Sequence, residues 1–96
     1  MKIYSPVPID TSKVEVPDDL MQLAEILSLN VHETWALERI NQGWKYGIER
    51  NDLQKLHPCL VSYDELPESE KVFDRKTAME TIKVILSMGF EIKKKK

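Results

Sequence analysis

The chain has 96 residues, 42% hydrophobic and 31% charged, enough for one small hydrophobic core and too few for two. Sixteen acidic residues against fourteen basic ones leave a net charge of −2, which argues against a general electrostatic attraction to nucleic acid. Lys93 to Lys96 hold four of the basic residues, so the rest of the chain carries ten basic against sixteen acidic. That terminal run is expected to be a solvated lysine tail over 93–96 rather than a membrane anchor. No strictly apolar run exceeds three residues, far short of a membrane span, so no membrane insertion is expected. The lone Cys59 excludes an internal disulfide and suits a reducing compartment. With no basic leader before an apolar run, no signal peptide is expected and the predicted setting is cytoplasmic.

In chain order, Pro6, Pro8 and Pro17 predict an extended N-terminal arm over 1–17. Asp10-Thr11-Ser12 reads as a side-chain-capped turn. Val14 and Val16, alternating with Lys13 and Glu15, read as a short half-buried strand. A first long helix is expected from about Asp18 to Gln42, entered at Pro17 and favoured by two acids in its first turn. Leu20, Leu23, Ala24, Leu27, Val31 and Trp35 form one apolar stripe along it. Ile26, Leu29, Ala36, Leu37 and Ile40 form a second sector more than a quarter turn away. A helix apolar on two sides is either central to its domain or part of an oligomer interface.

Gly43 is expected to stop this helix as a left-handed cap. Residues 44 to 66 then form a loop long enough to suggest function, with Asn51-Asp52 capping a turn through Leu56 and His57 extended before Pro58. A second helical region opens at Pro67, with a potential break and second cap at Asp74, and ends near Met88. Its Met79, Ile82, Ile85 and Leu86 make a stripe that should pack on the first helix. Phe90-Glu91-Ile92 is extended and is predicted to pair with the valine strand. Proline, long helix, glycine and aromatic thus occur twice, with Pro17 and Gly43 echoed by Pro67 and Gly89. Duplication explains this as well as the habit of proline to open helices and glycine to close them.

The chemistry-bearing residues argue against catalysis. His32-Glu33 lacks the second histidine of a zinc protease, since Ala36 stands one turn on. His57 and Cys59 lack further metal ligands, so no metal site is expected. No activated nucleophile, nucleophile-elbow turn or P-loop is present, so neither an enzyme nor a resident cofactor is expected. What remains is His32, Trp35 and Arg39, which fall within a sector of about 60° on the first helix at about 100° per residue. A π surface, a guanidinium fork and a ring donor together suit a planar anionic ligand such as a nucleotide. Spacing alone favours the other reading, in which Trp35 packs in the core and Arg39 pairs with a carboxylate.

From Tyr4 to Ile92 the chain resembles the RyR domain, the repeated module of ryanodine receptor calcium-release channels that also occurs as single copies in prokaryotic proteins. The matching residues are Pro6-x-Pro8-Ile9-Asp10-Thr11-Ser12 and Asn30-x-His32-Glu33-x-Trp35-Ala36-x-x-Arg39-Ile40-x-x-Gly43-Trp44-x-Tyr46-Gly47. They continue through Arg50-x-Asp52, Lys55-x-His57-Pro58-x-Leu60-Val61, Leu66-Pro67-Glu68-x-Glu70-Lys71, Asp74-Arg75-x-Thr77-Ala78 and Gly89-Phe90. Asn51 stands where an acidic residue is usual. The resemblance implies a single-copy, prokaryotic-type domain, mainly α, with two long helices in two pseudo-symmetric halves and a long ordered loop. It does not carry channel activity with it. In the family, a proposed ligand site lies between paired repeats around the tryptophan of a His-x-x-Trp motif, which implies that Trp35 stacks an adenine-like base.

A single repeat supplies half of such a site, so two associated chains, a homodimer, are expected. The candidate ligand-binding residues are His32, Trp35, Arg39, Trp44, Tyr46 and Arg50. The expected function is a non-enzymatic ligand-binding or sensor module for nucleotide-like molecules, working by self-association or with a partner protein. The alternative is a structural protein-interaction domain with no small-molecule ligand. Partial exposure of Trp35 beside Arg39 is expected under the first reading and full burial under the second.

Overall fold

The computed structural model describes residues 2–95, so the outer ends of the predicted arm and lysine tail, Met1 and Lys96, lie outside the described residues. Two long helices dominate: α1 at Asp18–Asn41 and α2 at Glu68–Ser87. Between them lie two short strands, β1 at Lys45–Tyr46 and β2 at Leu56–His57, and a 3-10 turn at Tyr63–Glu65. Mainly α is the correct class. No helix among the described residues is long and apolar enough to cross a membrane.

Both helices start the same way. Pro17 and Pro67 hold extended ψ values of 153° and 146°, and each carbonyl accepts the first backbone N–H groups of its helix. Neither start has a side-chain cap; acids in both first turns, Asp18 and Asp19 or Glu68 and Glu70, complement the positive end of the helix dipole instead. The ends match as well. Gly43 and Gly89 take φ values of +93° and +92°, a region where a Cβ is unfavourable. Trp44 N–H then reaches Arg39 O at 2.9 Å and Phe90 N–H reaches Ile85 O at 3.4 Å, the crossed bonds of a Schellman ending.

The core lies between the helices. Leu20, Ala24 and Ile82 are buried at its centre, with Leu23, Leu27, Met79 and Leu86 packed around them. An ion pair from Arg75 Nε to Glu25 Oε1 at 3.0 Å ties the helices further along. Leu20 thus packs with Ile82, while Glu25, further along α1, meets Arg75, earlier in α2, so the helices run antiparallel.

Several local expectations change. Val14–Val16 and Phe90–Ile92 form no strand; Val16 and Ile92 contribute apolar side chains to the core instead. The β pairing is elsewhere, parallel, with Lys45 opposite Leu56 and Tyr46 opposite His57. Val31 and Ile85 are exposed rather than packed in their stripes: Val31 borders the openings on either side of Trp35, and Ile85 lies at the edge of the buried sector of α2. α2 runs through Asp74 without a break, since its backbone there stays helical and the side chain turns to a cleft described below. The second sector of α1 is exposed, with Ile26 at 66% and Leu37 at 61%.

The arm has no helix or strand, and Thr11 Oγ1 donates to Glu80 Oε2 at 2.8 Å where the arm meets α2. Asp10 Oδ1 accepts from the Ser12 N–H and hydroxyl, closing the predicted turn. Beyond it Ile3, Tyr4 and Val7 project into solvent. The radius of gyration of 16.5 Å therefore exceeds the about 12–13 Å usual for a chain of this length.

Candidate functional site

One face of α1 carries Ser28, His32, Trp35 and Arg39 at helical spacings of three and four. The 44–66 loop runs back along that face and meets these residues in reverse order. Ser28 Oγ and Tyr63 Oη are 3.0 Å apart. His32 Nε2 donates to the Val61 carbonyl at 2.7 Å, which places a proton on that nitrogen. The rings of Trp35 and His57 meet edge to face at 4.9 Å, and the Arg39 guanidinium lies 5.2 Å from the centre of Trp44. Each contact places a loop residue against one turn of the helix, so loop and helix close like a zipper.

The short β pair aims His57 into this row. Lys45 N–H bonds Lys55 O at 2.9 Å and Gly47 N–H bonds His57 O at 3.3 Å. At Gly47 a Cβ would lie 2.7 Å from Leu56 Cβ, so only glycine allows the strands this close. Asn51 Oδ1 accepts from Gln54 N–H at 3.1 Å, forming the turn expected there. Lys55 Nζ donates to Gln42 O at 2.8 Å, satisfying a carbonyl at the end of α1.

Four of the six predicted site residues come together. His32 is buried and Trp35 half-buried, their rings stacked 5.7 Å apart at 30°. Arg39 sits 6.0 Å from the Trp35 ring centre and 5.2 Å from that of Trp44, within cation–π range of both. Its NH1 donates to Gln42 Oε1 at 3.3 Å, and among the described residues it pairs with no carboxylate. Trp44 is buried and supports the row from beneath. Tyr46 and Arg50 stand apart on the exposed side of the loop. Arg50 is engaged with Asp52 at 2.8 Å, and the hydrogen bond between them lowers the Asp52 pKa.

A cleft of about 330 Å³ opens where α1, the loop and the start of α2 converge. Trp35, His57 and Phe73 supply aromatic walls, and Glu70 and Asp74 supply carboxylates. Burial raises the Asp74 pKa, an effect to which neighbouring Glu70 adds and which His32 opposes. Burial likewise raises the Cys59 thiol, with Glu70 and Asp74 adding to it, so the thiol is not activated. His57 moves the other way: burial lowers its pKa, helped by the charges of Arg50 and Arg39. Cys59 N–H donates to His57 Nδ1 at 3.0 Å, which leaves the proton of the neutral ring on Nε2. A second, more open groove borders Trp35 on the Arg39 side, lined also by Asn30, Glu38 and Gln42. Among the described residues no group of three His, Cys, Asp or Glu side chains is placed to hold a metal ion.

Sequence reasoning missed His57, Glu70, Phe73 and Asp74 as cleft residues. A signal existed in α2, where positions 70, 73 and 74 share a helical face that combines an aromatic with two acids. Nothing in the spacing indicated that this face meets Trp35, because the contact depends on the path of the loop.

The arrangement is that of an antiparallel two-helix domain whose connecting loop is zipped to the first helix beside an aromatic cleft. Comparison with protein-family models matches residues 4–94 to the RyR domain. The chain belongs to the RyR domain family, and that membership points to a protein-interaction or regulatory module.

Proposed function

We propose that this domain is a non-enzymatic ligand-binding module of the cytoplasm, which holds the flat ring of a nucleotide-like molecule against Trp35 and passes the signal on through self-association or a partner protein. The observation that carries the reading is the half-buried Trp35 at the mouth of a 330 Å³ cleft. That volume falls at the lower end of the range of small-molecule sites, and the ring is held by His32 and His57 without being sealed by them. Arg39 in the adjoining groove supplies a cation for an anionic group outside the cleft.

A thermal-shift screen with nucleotides tests it, because a ligand that binds only the folded state raises the melting temperature. Trp35→Ala should abolish the shift, since base stacking on an aromatic is worth about 1–3 kcal/mol, while circular dichroism stays helical. Arg39→Lys should weaken it, because lysine has neither the fork nor the planar face. Absence of any shift in the wild type, together with unfolding of Trp35→Ala, would sink the proposal.

A second reading rests on a different observation. The exposed sector of α1, with Ile26, Leu29, Leu37 and Ile40, suits a protein-interaction domain in which the aromatic row is only structural support.

A further inference from the structure

The lining of the cleft has a chemical polarity that spacing in the sequence did not reveal. Glu70 and Asp74 both open onto it, and neither belongs to an ion pair among the described residues. His32 spends its Nε2–H on the Val61 carbonyl. Its Nδ1 forms no hydrogen bond among the described residues. No lysine or arginine lines the cleft there; the nearby guanidinium of Arg39 lines the neighbouring groove instead. Trp35, Phe73 and His57 line the same cleft as these carboxylates, with the rings of Trp35 and His57 meeting edge to face at 4.9 Å. Aromatic faces attract cations and carboxylates repel anions, so walls and acceptors favour the same kind of guest.

We infer that the cleft beside Trp35 takes a flat, positively charged nitrogen group, an aromatic amidinium or guanidinium, with Asp74 and Glu70 as its acceptors, and excludes anionic groups. The inference rests on the ligand-binding reading above and narrows it: an anionic part of any ligand lies on the Arg39 side, and a donor-bearing ring enters the cleft. Desolvation and the neighbouring Glu70 make the Asp74 carboxylate unfavourable, His32 offsets part of this, and a bound cation relieves the rest.

Benzamidine and benzoate test this, because they share a shape and differ in charge. With 15N-labelled protein, benzamidine should shift the Trp35 indole N–H resonance saturably, and benzoate at the same concentrations should not. Asp74→Asn should weaken benzamidine at least about tenfold, the loss of one charge-assisted hydrogen bond, with the spectral dispersion of the folded state retained. Equal binding of benzoate, or unchanged benzamidine affinity in Asp74→Asn, overturns the inference. N-acetylarginine amide as a third probe separates two sources of the same chemistry. Tighter binding than benzamidine assigns the group to a protein side chain, and weaker binding to a small aromatic molecule. Adenosine monophosphate as a fourth probe separates the two levels of the argument. If it moves the Trp35 indole and benzamidine does not, the cation preference falls while the ligand-binding reading stands. If no probe moves it, both fall.

Discussion

His57 touches Trp35, Trp44 and the backbone of Cys59 at once, and every one of these contacts suits a neutral ring. Burial, then Arg50 and Arg39, hold its pKa below the ordinary 6.5; Glu70 and Asp52 oppose them. A folded value below the unfolded one means that the unfolded chain binds the proton more readily. Stability from His57 is therefore complete above 6.5 and is lost as pH falls from there through the folded value. Melting temperature followed against pH should decline across that window, and His57→Phe should flatten the decline. Ser28 offers a second test at this scale. It is 0% exposed and its hydroxyl partner is Tyr63, so Tyr63→Phe leaves a buried polar group unpaired. Urea unfolding should show a loss of about 1–3 kcal/mol.

At the scale of elements, the helices were legible because their boundaries are written in residues with backbone consequences. Pro17 and Pro67 fix the starts, Gly43 and Gly89 the ends, and apolar positions at spacings of three and four define the buried sides. Gly43→Ala should cost about 1–2 kcal/mol, the penalty for a Cβ at left-handed φ, measured by thermal unfolding. The β pair was not legible. Two-residue strands show no alternation, and the left-handed turn that sets up the second one sits on Lys55 at φ +56°, a residue with no such preference. The segments at Val14–Val16 and Phe90–Ile92 looked more like strands, yet they serve the core as isolated apolar contacts. The His32, Trp35 and Arg39 row was legible from helical spacing and from the family resemblance together. The meeting of the acidic face of α2 with this row was not, because Glu70 and Asp74 stand 35 and 39 positions from Trp35.

Over the whole molecule, exposed apolar surface is the dominant unexplained quantity. Ile26, Leu29, Leu37 and Ile40 line one flank of α1, and contiguous patches of that kind mark interaction sites. We expect a homodimer with two-fold symmetry, the commonest closed assembly, formed through this flank. Light scattering should report twice the chain mass at micromolar concentration, and Leu37→Glu with Ile40→Glu should return it to monomer while leaving the helical signal intact. A wild-type chain that stays monomeric at high micromolar concentration would remove self-association from the proposed function. Ile82, 1% exposed at the centre of the core, is the internal control. Its replacement by alanine should cost about 2–5 kcal/mol, with no effect on assembly beyond that of unfolding.

The zipper between α1 and the loop also sets an order in time. Ser28–Tyr63 closes 35 residues and His32–Val61 closes 29, while Trp35–His57 and Arg39–Trp44 close progressively fewer, the last across the Gly43 turn. Each contact nests inside the next, so closing from the glycine outward adds only a small increment of loop entropy at every step. Closing Ser28–Tyr63 first would incur most of that entropy at once. Folding is thus expected to begin at the Gly43 turn and spread toward Tyr63, as a hairpin grows from its bend. Tyr63→Phe should accordingly speed unfolding more than it slows folding, whereas loss of the Trp44 ring should slow the folding limb itself.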